Sequence, residues 1–112
     1  MKTVKVGKSG LKVSAVGLGC NNFGWKIDEA DSKKVIDRAL DLGVTLFDTS
    51  DVYGNPPGNS ETFIGRILGE RRKDIVLLTK FGIAAGGFNT SRHYAMRAVE
   101  ARLKRLKTDY ID

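Results

Sequence analysis

The chain has 112 residues, 41% of them hydrophobic and 29% charged, with a formal net charge of +6 and one cysteine. This composition suits one small globular domain and excludes a disulfide framework or a cysteine-cluster metal site. No apolar run approaches the roughly 18 residues that span a bilayer. The opening segment Met1–Val6 has no apolar stretch of signal-peptide length, so the expectation is a cytoplasmic protein with no membrane partner. The basic residues Arg71, Arg72, Lys73, Arg102, Lys104, Arg105 and Lys107 fall on helix faces and ends. No aromatic platform alternates with them, which argues against nucleic acid as a partner.

Residues 2–14 read as a hairpin, with Val4 and Val6 alternating with lysines, a turn at Ser9-Gly10, and Leu11 and Val13 alternating on the return. Val16–Cys20 predicts a short buried strand. Asp28 or Asp31 caps a helix to about Leu42, in which Val35, Ile36, Ala39 and Leu40 follow helical spacing and Gly43 is the stop. Val44–Phe47 is the next strand, and residues 54–59 form a loop by composition. Ser60 is the expected cap of a second helix, with Phe63, Ile64, Ile67 and Leu68 on its inner stripe. Ile75–Thr79 is a further strand, and Gly82–Asn89 reads as a mobile, glycine-rich loop. Ser91 caps a third helix through about Leu106, with Met96, Val99, Leu103 and Leu106 inward, and Tyr110-Ile111-Asp112 opens a fourth strand.

Strands and helices that alternate in this way imply an α/β fold, a parallel sheet with helices packed outside and right-handed crossovers. Both barrels and open α/β sheets place their chemistry on the loops that follow the strands. Asp48, Tyr53 and Lys80 each lie just past an apolar strand-like run. A tyrosine hydroxyl ordinarily holds its proton to about pH 10, and a neighbouring ammonium stabilises the phenolate and makes the phenol a usable general acid. The carboxylate would hold the ammonium in place. Taken singly, these three are ordinary loop residues; the combination at strand ends is what points to chemistry.

Other candidates are weaker. His93 reads as a solvated residue at a helix start. Cys20 is either a small buried hydrophobe or a cofactor-adjacent thiol, and Trp25 either packing or pocket lining. Gly17-x-Gly19 partly matches a dinucleotide fingerprint, but Asn22 stands where the third glycine belongs and the helix starts late, near Asp28. The acids Asp28, Glu29, Asp31 and Asp37 lack metal-loop spacing, so no metal site is expected.

Gly7–Ser14 followed by Gly17-Leu18-Gly19, Asp48-Thr49-x-x-x-Tyr53-Gly54 with Ser60-Glu61, Thr79-Lys80-Phe81-Gly82, and Arg105–Asp112 occur in this order. In that order and spacing the sequence resembles the aldo-keto reductase family, over essentially its whole length, as the N-terminal portion of a member. The resemblance implies a (β/α)8 TIM barrel closed at its base by the hairpin. Residues 1–112 would be an incomplete barrel: the hairpin, three βα units and the start of strand 4. It implies reversible, NADPH-dependent reduction of aldehyde or ketone carbonyls, with Tyr53 as proton donor, Lys80 as the cation beside it and Asp48 as the partner of Lys80. It places Gly19, Cys20, Asn21 and Asp48 against the nicotinamide end of the cofactor, and Trp25 and Phe81 in the substrate pocket. The family's catalytic His is expected a few residues beyond Asp112, so the chain alone is expected to be inactive and to need the remainder of the barrel as partner. The alternative is a non-catalytic cofactor-sensing or partner-binding module of the same fold.

Overall fold

A computed structural model describes residues 1–84 and 86–112. The opening hairpin pairs β1 (Thr3–Lys5) with β2 (Lys12–Ser14) antiparallel, Val4 opposite Val13. Ser9 closes its turn by donating to the Val6 carbonyl at 2.7 Å. Three parallel strands follow in chain order: β3 (Gly17–Gly19), β4 (Leu46–Asp48) and β5 (Val76–Leu78). Helix α1 (Glu29–Asp41) joins the first two, and α2 (Asn59–Leu68) with a 3₁₀ turn at Gly69–Asp74 joins the second and third. Beyond β5 come a small antiparallel pair, β6 (Ile83–Ala84) and β7 (Gly87–Phe88), and then α3 (Arg92–Leu106).

The hairpin is fastened to the foot of the sheet by two residues. Ser14 donates its N–H to Thr45 Oγ1 at 3.0 Å. In return the Ser14 hydroxyl oxygen accepts from the N–H groups of Thr45 and Leu46, at 2.8 and 3.2 Å. Backbone donors at the start of β4 are thus satisfied by a side chain 31 and 32 residues away in sequence.

Local rules explain two of the helix starts. Asp28 accepts from the Asp31 N–H at 2.9 Å, and Ser91 accepts from the Tyr94 N–H at 3.2 Å; caps of this kind are worth about 1 kcal/mol each. Gly43, at φ +79°, terminates α1 as expected. The core lies between the sheet and the helices, where Phe47, Leu77, Ile36 and Ile64 are fully buried. Each such side chain contributes about 1.5–3 kcal/mol by leaving water.

Several expectations are corrected. Ser60 does not cap α2. Gly58, at φ +93°, occupies that position, and Ser60 is buried as the second residue of the helix, donating to the Cys20 carbonyl at 2.7 Å and paired with Thr49 Oγ1 at 3.0 Å. The strand expected at Val16–Cys20 is shorter, Gly17–Gly19, and Val16 lies outside it. In α3, Met96 and Val99 face outward; the buried positions are Ala98, Arg102 and Leu106, a face that admits a charge because partners await it. The glycine-rich segment at 82–89 contains the β6–β7 pair, with Ala85 lying outside the described residues.

Tyr110–Asp112 form no strand. The Asp112 carboxylate itself takes the Leu77 N–H at 2.9 Å, where a neighbouring strand would offer a carbonyl. Arg72 secures this arrangement by pairing with Asp112 at 2.7 Å, donating to the Tyr110 carbonyl at 3.1 Å and lying under the Tyr110 ring.

Helices α2 and α3 cross at Gly65. A Cβ there would lie 2.5 Å from the Arg105 carbonyl oxygen and 2.6 Å from the Leu106 carbonyl carbon, both rigid backbone. Gly65→Ala is therefore expected to destabilise the protein by about 1–3 kcal/mol despite its better helix propensity. A urea unfolding midpoint equal to or above that of the parent would contradict this.

Candidate active site

The parallel register sets Gly19 beside Asp48, and Asp48 beside Leu78, so the C-terminal ends of β3, β4 and β5 lie together. The loops leaving them are stitched to one another. Cys20 donates its N–H to the Asp48 carbonyl at 2.8 Å, Thr49 donates to Leu78 at 2.9 Å, and Asp51 donates to Lys80 at 3.2 Å. The Tyr53 carbonyl accepts from the Gly58 and Ser60 N–H groups at the start of α2, both at 3.1 Å. The turn after it is tight: a Cβ on Gly54, at φ +97°, would sit 2.8 Å from Asn59 Cβ and from the Ser60 nitrogen.

On this frame Asp48, Tyr53 and Lys80 converge. Lys80 Nζ donates to Asp48 Oδ1 at 2.6 Å and to the Thr49 carbonyl at 2.8 Å. The same ammonium lies 5.2 Å from the centre of the Tyr53 ring. Both members of the ion pair are about half exposed, and such pairs contribute about 0–1 kcal/mol to stability. The pair's value lies in where it holds the ammonium.

Tyr53 lines a groove of about 450 Å³ together with Asn21, Trp25, Val52, Gly54, Asn55 and Pro57. Trp25 thus lines the same groove as Tyr53. Phe81 does not face this groove; its ring lies against Arg102 and 6.3 Å from that of Tyr94. Gly19 and Asn21 are exposed, and a Cβ on Gly19 would meet only Asn21 Oδ1, at 3.7 Å. The result is a shelf without a side chain next to Asp48, open to a flat ring. Cys20 differs. Its thiol is fully buried in the core, and burial, with the Asp48 charge second, pushes its pKa up to about 12. That burial is what the small-hydrophobe reading expects, and the Cys20 backbone stays tied to Asp48. His93 is exposed on α3, beside Arg97.

Beneath the cluster lies a set of buried charges whose function the sequence did not disclose. Glu61, fully buried, accepts from Thr79 Oγ1 at 2.7 Å and pairs with Arg105 at 2.6 Å and Arg102 at 3.5 Å. Arg102 also pairs with Asp51 at 3.2 Å and donates to the Lys80 carbonyl at 2.8 Å. A signal did exist. Glu61 shares a helical face with Ile64 and Leu68, and Arg102 one with Ala98 and Leu106, so opposite charges occupy the inner stripes of two helices. Among the described residues no three His, Cys, Asp or Glu gather as a metal would require, and no helix is long and apolar enough to cross a membrane.

A parallel α/β sheet whose strand ends gather a carboxylate, an ammonium and a phenol beside an open groove defines a protein built around a polar site at one end of its sheet. The chain belongs to the aldo/keto reductase family, whose profile matches residues 15–112. It is 40% identical to the uncharacterized oxidoreductase YqkF of Bacillus subtilis (strain 168), covering all of this chain and 37% of that protein. It is also 40% identical to a probable voltage-gated potassium channel subunit beta of Arabidopsis thaliana, covering 36% of it. The solved holo form of an aldo-keto reductase of Bacillus halodurans, AKR11C1, superposes with a TM-score of 0.89 at 42% identity, over all of this chain and 38% of that one. The fold is therefore that of part of an aldo-keto reductase, and the chain spans little more than a third of these relatives.

Proposed function

We propose that the full-length protein carrying this sequence is an NADPH-dependent reductase of aldehyde or ketone carbonyls, working reversibly, and that residues 1–112 form the opening third of its (β/α)8 barrel. The observation that carries this reading is the convergence of Asp48, Tyr53 and Lys80 at the C-terminal ends of adjacent parallel strands, the end where barrels of this type do their chemistry. An apolar cleft of about 410 Å³ between β3 and α1, lined by Val16, Leu18, Val35 and Leu42, supports the barrel reading as a surface for further units to cover.

Tyr53 donates its phenolic proton to the carbonyl oxygen of a substrate seated in the groove beside Trp25. Lys80 faces the negative charge left on the phenol, and Asp48 with the Thr49 carbonyl keeps that ammonium from swinging into solvent. Gly19, Asn21, Asp48 and the Cys20 backbone would hold the nicotinamide end of the cofactor, for which the bare shelf at Gly19 is a suitable surface. When bound, NADPH supplies the hydride that reaches the carbonyl carbon. The small-molecule carbonyl and the rest of the barrel are the partners this reading requires.

The test is consumption of NADPH by the full-length protein with a panel of small aldehydes, compared with the Lys80→Met variant. Turnover that depends on Lys80 supports the reading, and a full-length protein with no turnover on any carbonyl sinks it. The similarity to the plant channel subunit favours a second reading, a cofactor-sensing or partner-binding module. Tight retention of NADPH with very slow turnover would select it.

A further inference from the structure

We propose that Arg102 is a positioning residue that locks the Lys80 loop to the Asp48–Tyr53 loop and so sets where the ammonium stands; this rests on the functional reading above. Arg102 touches neither Tyr53 nor the groove. Its side chain rises from α3 and is 3% exposed. The Lys80 carbonyl accepts from Arg102 Nη2 at 2.8 Å, from Ser50 Oγ at 3.3 Å and from the Asp51 N–H at 3.2 Å. Three donors on one carbonyl, which has two lone pairs, fix that peptide more firmly than a loop ordinarily is. Two of the three come from the loop between Asp48 and Tyr53, and the third comes from the guanidinium.

The guanidinium is held in its turn. Asp51 pairs with it at 3.2 Å from the Tyr53 side, Glu61 at 3.5 Å from below, and the Phe81 ring covers it with its centre at 5.6 Å. Thr79, on the other side of Lys80, is tied to the same Glu61 at 2.7 Å. Lys80 is thus flanked by two residues that both lead back to one buried ion cluster. Burying such a cluster carries a desolvation penalty, and an apolar residue would fill the space at lower cost. Geometry supplies the return: a planar fork bridges two loops at once, which neither an aliphatic side chain nor a lysine does.

The experiment uses the full-length protein with Arg102→Met, Arg102→Lys and Asp51→Asn. Steady-state kinetics are paired with the rate at which an amine-acylating reagent modifies Lys80, read by mass spectrometry against the exposed Lys8. Misplacement of a reacting group by about 1 Å costs about 10²-fold, so Arg102→Met should lower kcat by about that factor with little change in KM. Lys80 should also be acylated several-fold faster as its bonds to Asp48 and Thr49 loosen. Arg102→Lys should recover part of both, and Asp51→Asn should show a milder loss in the same direction. If Arg102→Met does not fold, the other two variants decide. Unchanged kcat and unchanged Lys80 labelling in folded variants would overturn the proposal. If the parent reduces no carbonyl, the functional reading fails by itself, and the labelling of Lys80 still decides whether Arg102 positions it.

Discussion

Tyr53→Phe in the full-length protein is expected to lower kcat by about 10²–10⁴-fold, the range that a positioned general acid contributes. The substitution is narrow. Among the described residues the Tyr53 hydroxyl has no hydrogen-bond partner, so removing it breaks no structural bond. The ring remains on the groove wall with Trp25 and Asn21, and the Gly58 and Ser60 N–H groups still hold the backbone. Lys80 keeps both Asp48 and the Thr49 carbonyl. Affinity for NADPH, measured by fluorescence titration, should therefore stay near that of the parent while turnover collapses. Near-normal turnover would remove Tyr53 from the role of proton donor.

Glu61→Ala is expected to destabilise the full-length protein by about 3–5 kcal/mol, because it takes from Arg105 its carboxylate partner and leaves Asp51 as the one carboxylate facing the buried Arg102. Thr79 loses its acceptor in the same step. Glu61→Gln should fall between parent and Ala, since an amide oxygen can still accept one of these bonds but carries no charge. Urea denaturation followed by circular dichroism reads both variants. A Glu61→Ala midpoint close to that of the parent would mean that the cluster holds α2 to α3 only weakly and that apolar packing around Gly65 does the work.

What could be read from the residues alone was local. The hairpin, the caps at Asp28 and Ser91 and the stop at Gly43 each depend on a few neighbouring residues, and each stands where expected. Asp48, Tyr53 and Lys80 were legible because each follows an apolar run, and parallel register does the rest. What depended on distant partners was hidden. Ser60 looks like a cap in sequence, yet its hydroxyl is used 40 residues back, on Cys20. On the inner face of α3 apolar spacing favours Met96 and Val99, whereas Arg102 is buried by virtue of Asp51, Glu61 and the Lys80 carbonyl on three other segments. Tyr110–Asp112 have the composition of a strand, and the Asp112 carboxylate accepts from the Leu77 N–H of β5.

The grip of Ser14 on Thr45 and Leu46 has a mechanical consequence. Strand β4 is three residues long, so only about 10 Å separates its foot from its head. The hairpin clamps the foot, and Asp48 rides on the head. A strut that short has little compliance of its own, and any play at one end arrives at the other as rotation. The opening hairpin, although it never meets the groove, therefore helps to aim the carboxylate that holds Lys80.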